Sequence, residues 1–175
     1  MLQHFRPFLF VWGGANDFGI IGTDESVTYQ KTLARPVRLA GQTLHAGVPV
    51  SCTISPAPVG HGLVFRRLDA LPEVSDVQVS HENIVIAPLC SRIANEGGTS
   101  VSTLEHLMAA FRVFGVTNAL ITLDGPEVPI LDGSSQPWVS ALQQATSVEQ
   151  TTAAPVNRLT QTISVRHDDS HTRLT

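Results

Sequence analysis

Glu105 and His106, with Thr103 just before them, are the residues with the clearest capacity for chemistry. Imidazole is the commonest metal ligand in proteins, and a carboxylate beside a bound metal can take a proton from a water on that metal. The pair also has a structural interpretation, in which Glu105 caps a helix and His106 is a surface or interface histidine. Spacing alone permits both interpretations and favours the structural one.

Two further groups of polar residues have structural explanations. The loop over residues 124–135 contains Glu127 and Asp132 on either side of an apolar Pro-Ile-Leu run, and its Asp-Gly-Ser sequence could cap the next helix. His167 and His171 have a four-residue spacing that binds metal in a helix, but the Asp-Asp-Ser between them favours a turn. Neither group is a metal site on spacing alone.

Strands must position these residues. The pattern of β-branched and apolar residues predicts a hairpin from residues 29–39 and 48–56, joined by a glycine-bounded turn over 41–47. Further extended segments are predicted at 63–68, 83–86 and 116–123. These stretches supply most of a mixed sheet.

The first predicted helix runs from Ser102 to about Gly115, and Ser102 to Glu105 have the form of a capping box. Its broad apolar face, which should lie on the sheet, consists of Leu104, Leu107, Met108, Phe111 and Phe114. A second face of smaller residues, predicted to await a partner domain, consists of His106, Ala109, Ala110 and Val113.

A second helix should follow with Pro137 in its first turn and a buried stripe of Trp138, Val139, Leu142 and Ala145. Residues 143–157 lose periodicity and resemble an interdomain linker. Strands are predicted again at 158–165 and 172–174, on either side of a tight turn, so that a further domain begins there.

Composition restricts the class of protein. A chain of 175 residues with 42% hydrophobic and 15% charged residues is globular, and its net charge of −4 offers no polybasic surface for nucleic acid. Two widely spaced cysteines suit a reducing compartment, which predicts a cytoplasmic protein. The apolar stretch at 5–12 is too short for a membrane span, and we expect neither a signal peptide nor a membrane anchor.

Two motifs taken in order are more specific than either alone. STLEHL at residues 102–107, followed by EVPILDGS at 127–134, closely resembles the zinc-dependent UDP-3-O-acyl-N-acetylglucosamine deacetylases of Gram-negative bacteria. Supporting matches are LHAG at 44–47, PAP at 56–58, GLVFRR at 62–67 and Asn95-Glu96. The resemblance spans about 29–174.

The resemblance implies an α+β fold, a two-layer sandwich of a small mixed β-sheet packed against helices, as the first domain of a two-domain deacetylase with its site between the domains. On this basis residues 1–28 are a poorly ordered extension and 29–146 are domain I. Residues 147–157 are then a linker, and 158–175 begin a truncated domain II.

The resemblance also implies roles for individual residues. Glu105 corresponds to the family's general base and His106 to one of three ligands of a catalytic zinc, with Thr103 as their neighbour. Leu89 and Cys90 match a stretch that lines the site, although Ala87-Pro88 and Arg92 depart from the usual residues there. The other two zinc ligands and the histidine that stabilises the oxyanion belong to the family's second domain and are absent from this sequence.

The expected function is therefore the first half of an enzyme that hydrolyses the N-acetyl group of a UDP-3-O-acyl-N-acetylglucosamine on the route to lipid A. Because catalytic zinc takes three protein ligands, the chain should need the missing C-terminal domain as its partner and should be inactive alone. One alternative is a truncated, non-catalytic relative that serves as a binding or regulatory domain. An RNA-binding domain of similar shape is disfavoured by the acidic balance.

Overall fold

The computed structural model of the chain describes residues 27–156 and the backbone of residues 163–167 and 170–174. Most of the predicted extension at 1–28 lies outside these residues. The first seven strands are β1 Tyr29–Leu33, β2 Val37–Gln42, β3 Pro49–Pro56, β4 Leu63–Arg67, β5 Asp76–Gln78, β6 Ile84–Val85 and β7 Arg92–Ala94. Then follow β8 Ser100–Ser102, α1 Glu105–Phe114, β9 Ala119–Leu123, α2 Gln136–Ala145, β10 Ser147–Ala153, β11 Ile163–His167 and β12 Ser170–Leu174.

The main sheet has five strands in the order β2-β3-β9-β4-β5. All its pairs are antiparallel except β4 with β9, so the sheet is mixed as predicted. Side chains alternate between buried and partly exposed along β3 and β9, which is the pattern of a sheet with one covered face. The predicted α+β architecture is confirmed.

One hydrophobic core joins the sheet to both helices. Apolar positions of α1 and α2 recur at helical spacing and enter the same cluster as the inward residues of β3, β4 and β9. The largest fully buried side chains in this core include Trp138, Phe65, Phe111, Ile54 and Leu107. The two helices also contact each other, and α2 contacts β2. This core fixes the position of α1.

Three smaller sheets complete the described residues. The strands β6, β7 and β8 form an antiparallel sheet that leads directly into α1. The strands β11 and β12 form a hairpin in register from Ile163↔Leu174 to His167↔Ser170, which confirms two strands near the end of the sequence. The tight turn predicted over 167–171 is shorter than expected, because residues 167, 170 and 171 are paired within the strands. The side chains of His167 and His171 lie outside the described residues.

The third of the smaller sheets, in which β1 pairs with β10, corrects two sequence predictions. The single strand predicted over 29–39 is two strands in different sheets, because the chain bends before Pro36. Residues 143–157 were expected to lack regular structure, yet α2 continues to Ala145 and β10 pairs with β1. The strand β10 is largely exposed and polar, so it carries no apolar alternation for a pattern to detect. The division of the chain into domains stays a prediction.

No helix in the described part of the chain is long and apolar enough to cross a lipid bilayer.

Candidate active site

The helix α1 begins at Glu105, and the predicted capping box is wrong. Ser102 is the last residue of β8, and its hydroxyl oxygen accepts a hydrogen bond from Nε of Arg92 at 2.9 Å. Leu104 takes the N-cap position, and within the described residues no side chain caps this helix end. Thr103 turns the chain between strand and helix with a φ of 57°, which leaves Ser102 in the sheet.

Glu105 is bound to the segment that precedes β7 instead. Its Oε2 accepts a hydrogen bond from the backbone N–H of Ser91 at 3.0 Å. The carbonyl oxygen of Ser91 in turn accepts one from the N–H of Thr103 at 2.9 Å. The start of α1 and residue 91 are therefore joined by two hydrogen bonds, and the half-buried carboxylate of Glu105 has a fixed orientation.

Leu89 and Cys90 come directly before Ser91, so the structure brings them to the same region as Glu105. The side chain of Leu89 is 92% exposed, and its backbone has a φ of 62°. Cys90 is half-buried. All five residues predicted for the site, Leu89, Cys90, Thr103, Glu105 and His106, lie on or beside the two segments that these hydrogen bonds join.

His106 is half-buried in the first turn of α1 and lies close enough to Asp132 for their charges to interact. The pKa of the Asp132 carboxyl is below its usual range, chiefly because the backbone N–H and the hydroxyl of Ser134 donate hydrogen bonds to it. His106 makes a smaller contribution in the same direction. The loop before α2 is thus near the Glu105-His106 pair.

Glu127 is a further residue of this region, and spacing alone suggested only a structural role for it. Its side chain is 3% exposed. Its Oε1 accepts hydrogen bonds from the hydroxyl of Thr103 at 2.7 Å and from the N–H groups of Leu44 and His45 at 3.1 Å. Its Oε2 accepts from the N–H groups of His45 at 3.2 Å and Ala46 at 3.3 Å. The signals in the sequence were a glutamate inside an otherwise apolar run and its position as the first residue of the EVPILDGS motif.

Two opposing effects act on the pKa of Glu127. Burial, the larger single effect, raises the pKa because it disfavours the charged form. The hydroxyl of Thr103 and the three backbone N–H groups together outweigh burial and leave the pKa below its usual range. Glu127 is therefore a buried carboxylate that is charged at neutral pH.

Cys52, the other cysteine, is unrelated to this site. It is fully buried in β3, and burial, with a further contribution from Asp124, raises the pKa of its thiol far above the usual range. A buried thiol that stays protonated is unreactive.

The second face predicted for α1 is only partly correct. Ala109 is exposed and Val113 is 68% exposed, as a face awaiting a partner requires. Ala110 is instead completely buried in the core. Position 110 lies at the edge between the two faces, and it belongs to the core cluster together with Leu107 and Phe111.

The described residues do not make up a complete metal site. No group of three or more His, Cys, Asp or Glu side chains able to hold a metal occurs among them. A catalytic zinc takes three protein ligands. His106 could supply one nitrogen to a metal ion, and a complete site would need further ligands.

Comparison with known sequences gives a consistent result. The sequence model of the family described as LpxC, UDP-3-O-acyl N-acetylglycosamine deacetylase, matches residues 30–175. A UDP-3-O-acyl-N-acetylglucosamine deacetylase of Francisella tularensis subsp. tularensis (strain WY96-3418) is 42% identical over 142 residues, which are 80% of this chain and 49% of that protein.

Two other relatives carry the same name. The protein of Shewanella woodyi is 39% identical over 83% of this chain and 48% of its own length, and that of Xanthomonas axonopodis pv. citri is 42% identical over 84% and 48%. The chain thus spans about half the length of the curated relatives it matches. Matched over most of its residues, with the Glu-His pair at the start of α1, the chain belongs to the LpxC family of UDP-3-O-acyl N-acetylglycosamine deacetylases.

Proposed function

We propose that this chain supplies the first half of the active site of a UDP-3-O-acyl-N-acetylglucosamine deacetylase. The reaction is hydrolysis of the N-acetyl amide, in which water adds to the acetyl carbonyl, the C–N bond breaks, and acetate and a free amine are formed. The observation that carries the proposal is the Glu105-His106 pair at the start of α1, fixed to residue 91 by hydrogen bonds, in a chain of this family.

In this proposal Glu105 is the general base. A general base must lie within hydrogen-bond reach of the proton it removes and keep that position during the reaction. The bond from the Ser91 N–H holds Oε2 of Glu105, and within the described residues no donor binds Oε1. Oε1 can then accept the proton of the attacking water.

His106 is proposed to contribute one ligand of a zinc ion, with the other ligands in the second half of the protein. Zinc, when bound, would polarise the amide carbonyl and make water more acidic. His106 sits one residue after Glu105, so both side chains belong to the same turn of α1. The backbone positions of the proposed base and the proposed ligand are therefore fixed relative to each other.

The remaining residues have supporting roles in the proposal. Thr103 positions the start of α1, and Leu89 presents an exposed apolar side chain, beside half-buried Cys90, where a substrate could be contacted. We also propose a cytoplasmic location, with residues 29–146 forming domain I and the missing C-terminal half as the partner.

The test compares the 175-residue chain alone with the same chain mixed with a separately expressed second half of a relative. Alone, we expect less than stoichiometric zinc and no acetate release, because one imidazole cannot hold a catalytic zinc. The mixture should bind zinc and release acetate from UDP-3-O-acyl-N-acetylglucosamine. His106→Gln should abolish both gains, and His61→Gln, a half-buried histidine in the turn before β4, is the matched control.

Stoichiometric zinc together with turnover by the chain alone would contradict the half-site proposal. A mixture that binds the nucleotide sugar but releases no acetate would favour the alternative of a non-catalytic binding domain.

A further inference from the structure

We propose that Glu127 is a positioning residue for the active site, whose carboxylate binds the loop over residues 43–46 and Thr103 together and so sets where α1 begins. The inference rests on the proposed function, since it names the residue that positions Glu105 and His106. It concerns a residue that does not itself need to touch the substrate.

The first step is the placement of the carboxylate. The backbone on either side of Glu127 is bound to β8, because the N–H of Ser102 donates to the carbonyl of Pro126 at 3.1 Å and the N–H of Val128 donates to that of Ser102 at 3.1 Å. Ser102 and Glu127 form a parallel bridge at this point. Backbone hydrogen bonds therefore place Glu127 directly beside the residue that precedes Thr103.

The second step is the match between the carboxylate and its donors. Three successive N–H groups, those of Leu44, His45 and Ala46, point at its two oxygens, and the Thr103 hydroxyl adds a fourth donor. A set made only of donors requires an acceptor with several lone pairs, and an ionised carboxylate has about four sites. An amide at this position would offer one acceptor oxygen and place its own N–H groups against other donors.

The third step is the conformation of Thr103. A φ of 57° is rare for a β-branched residue and persists only when surrounding contacts enforce it. The hydroxyl bond to Glu127 and the N–H bond to Ser91 are such contacts. Because Leu104 and Glu105 follow immediately, a change at Thr103 alters the direction in which α1 leaves β8.

Glu127→Gln in the full 175-residue chain tests the inference, with Asp124→Asn as the matched control. Asp124 is another carboxylate of this loop that accepts a backbone hydrogen bond, at 2.6 Å from the N–H of Ser51, which lies in β3, on a different element from α1. In Glu127→Gln, hydrogen exchange at the amides of 44–46 should accelerate by about 10-fold or more. The amide signal of Ser91 and the imidazole signals of His106 should also shift in NMR spectra.

Asp124→Asn should leave all of these signals in place. If the loop amides of Glu127→Gln exchange faster but the Ser91 and His106 signals do not move, Glu127 only fastens the loop and the inference is wrong. Unchanged hydrogen exchange at residues 44–46 would show that Glu127 does not hold these amides, and the inference would be wrong.

Thr103 provides a second, independent pair of variants. Thr103→Val removes the hydroxyl and should reproduce the shifts at Ser91 and His106, and Thr103→Ser should retain the original signals. Combining Thr103→Val with Glu127→Gln should add little to the shifts at Ser91 and His106 beyond those of Glu127→Gln alone, because Glu127 reaches α1 through the hydrogen bond from Thr103. Fully additive shifts would show that the two residues act separately.

The chain mixed with its second half gives a kinetic readout. There Glu127→Gln should lower kcat by about 10-fold or more and leave KM within about 2-fold, because a misplaced base affects the reaction more than binding. An equal loss in Asp124→Asn would overturn the assignment. If the unsubstituted mixture releases no acetate, the proposed function is wrong. The NMR comparison still shows whether Glu127 positions the start of α1.

Discussion

The two α-helices in the described part of the chain begin in similar ways and are stabilised differently. Each follows a residue with a positive φ, Thr103 before α1 and Leu131 before α2. At α1 the hydrogen bonds reach distant segments, from Thr103 to Glu127 and from Ser91 to Glu105. At α2 they are local.

The local bonds at α2 span two residues each. Ser134 donates to Asp132 through both its N–H and its hydroxyl, and the N–H of Gln136 donates to the Ser134 hydroxyl. Such a start forms from its own sequence, as an isolated turn can. The start of α1 is bonded instead to Ser91 and Glu127, which lie 14 residues from Glu105 and 24 residues from Thr103, so its contacts exist only in the folded chain. The proposed active site therefore lies at the start that depends on the whole fold.

The largest effect should come from Glu105→Gln, which tests whether the α1 start performs chemistry. Gln keeps an oxygen that can accept from Ser91, so the fold should survive. Loss of the base should lower acetate release by the complemented protein about 10²- to 10⁴-fold. Near-normal turnover would refute the assignment of Glu105, and thermal unfolding of the variant serves as the control for its fold.

The next largest effect should come from removing a side chain that α1 packs into the core. Phe111 is 1% exposed, so Phe111→Ala should lower the free energy of unfolding by about 3–5 kcal/mol. On the opposite face, Val113→Ala should change it by less than about 0.5 kcal/mol. Urea titration of both variants measures the difference. Equal losses would mean that Val113 is buried in solution, for instance by self-association.

A smaller effect, and one that depends on pH, is expected at Glu127. Its pKa is lower in the folded chain than in the unfolded chain, so its contribution is fully present above the unfolded value of about 4.3 and is lost as pH falls through the folded value. At pH 7 the free energy of unfolding of the unsubstituted chain should be about 2–3 kcal/mol higher than that of the Glu127→Gln variant. This gap should narrow below about pH 4.3.

Other carboxylates with lowered pKa values, such as Asp69 and Asp76, contribute equally to the free energy of unfolding of both proteins. Their contributions therefore cancel when the two proteins are compared at each pH. A gap that stays constant from pH 7 to pH 3 would contradict a charged Glu127.

The smallest effect should follow from Ser134→Ala at the start of α2. The variant loses the hydroxyl that accepts from Gln136 and donates to Asp132, which should lower the free energy of unfolding by about 1 kcal/mol. Hydrogen exchange should quicken only in the first turn of α2. If exchange at the first turn of α1 quickens equally, the two starts are coupled and the contrast between them fails.

Elements with a covered face were predictable from the sequence. The inward residues of β3 and β9 alternate, and the core residues of α1 and α2 recur at helical spacing, because each element has one buried side. The ribbon of β1 and β10 was not predictable as a pair. Most of β10 is exposed and polar, and its partner lies more than a hundred residues earlier.

For the site, the sequence suggested candidate residues but not their hydrogen-bond partners. Glu105 and His106 were predicted from the motif around them, and Leu89 and Cys90 from the resemblance, and their roles stay predictions. The capping box failed because Ser102 is bound within a sheet, which local sequence does not reveal. Glu127 meets donors 24 and 81 to 83 residues away, so only the assembled fold shows what its carboxylate does.

The ribbon of β1 and β10 has a consequence for protein engineering. Tyr29 pairs with Ala153, so the two ends of the segment that carries the core and the Glu-His pair lie about 5 Å apart. A segment whose ends meet can be inserted into a surface loop of a host protein without stretching that loop, or its ends can be joined by a short linker and new termini opened elsewhere. The exposed turn between β2 and β3 would be a poor place for those termini, because the amides of residues 44–46 bind Glu127. The turn around Gly60, distant from α1 in the sequence and exposed, is a better one.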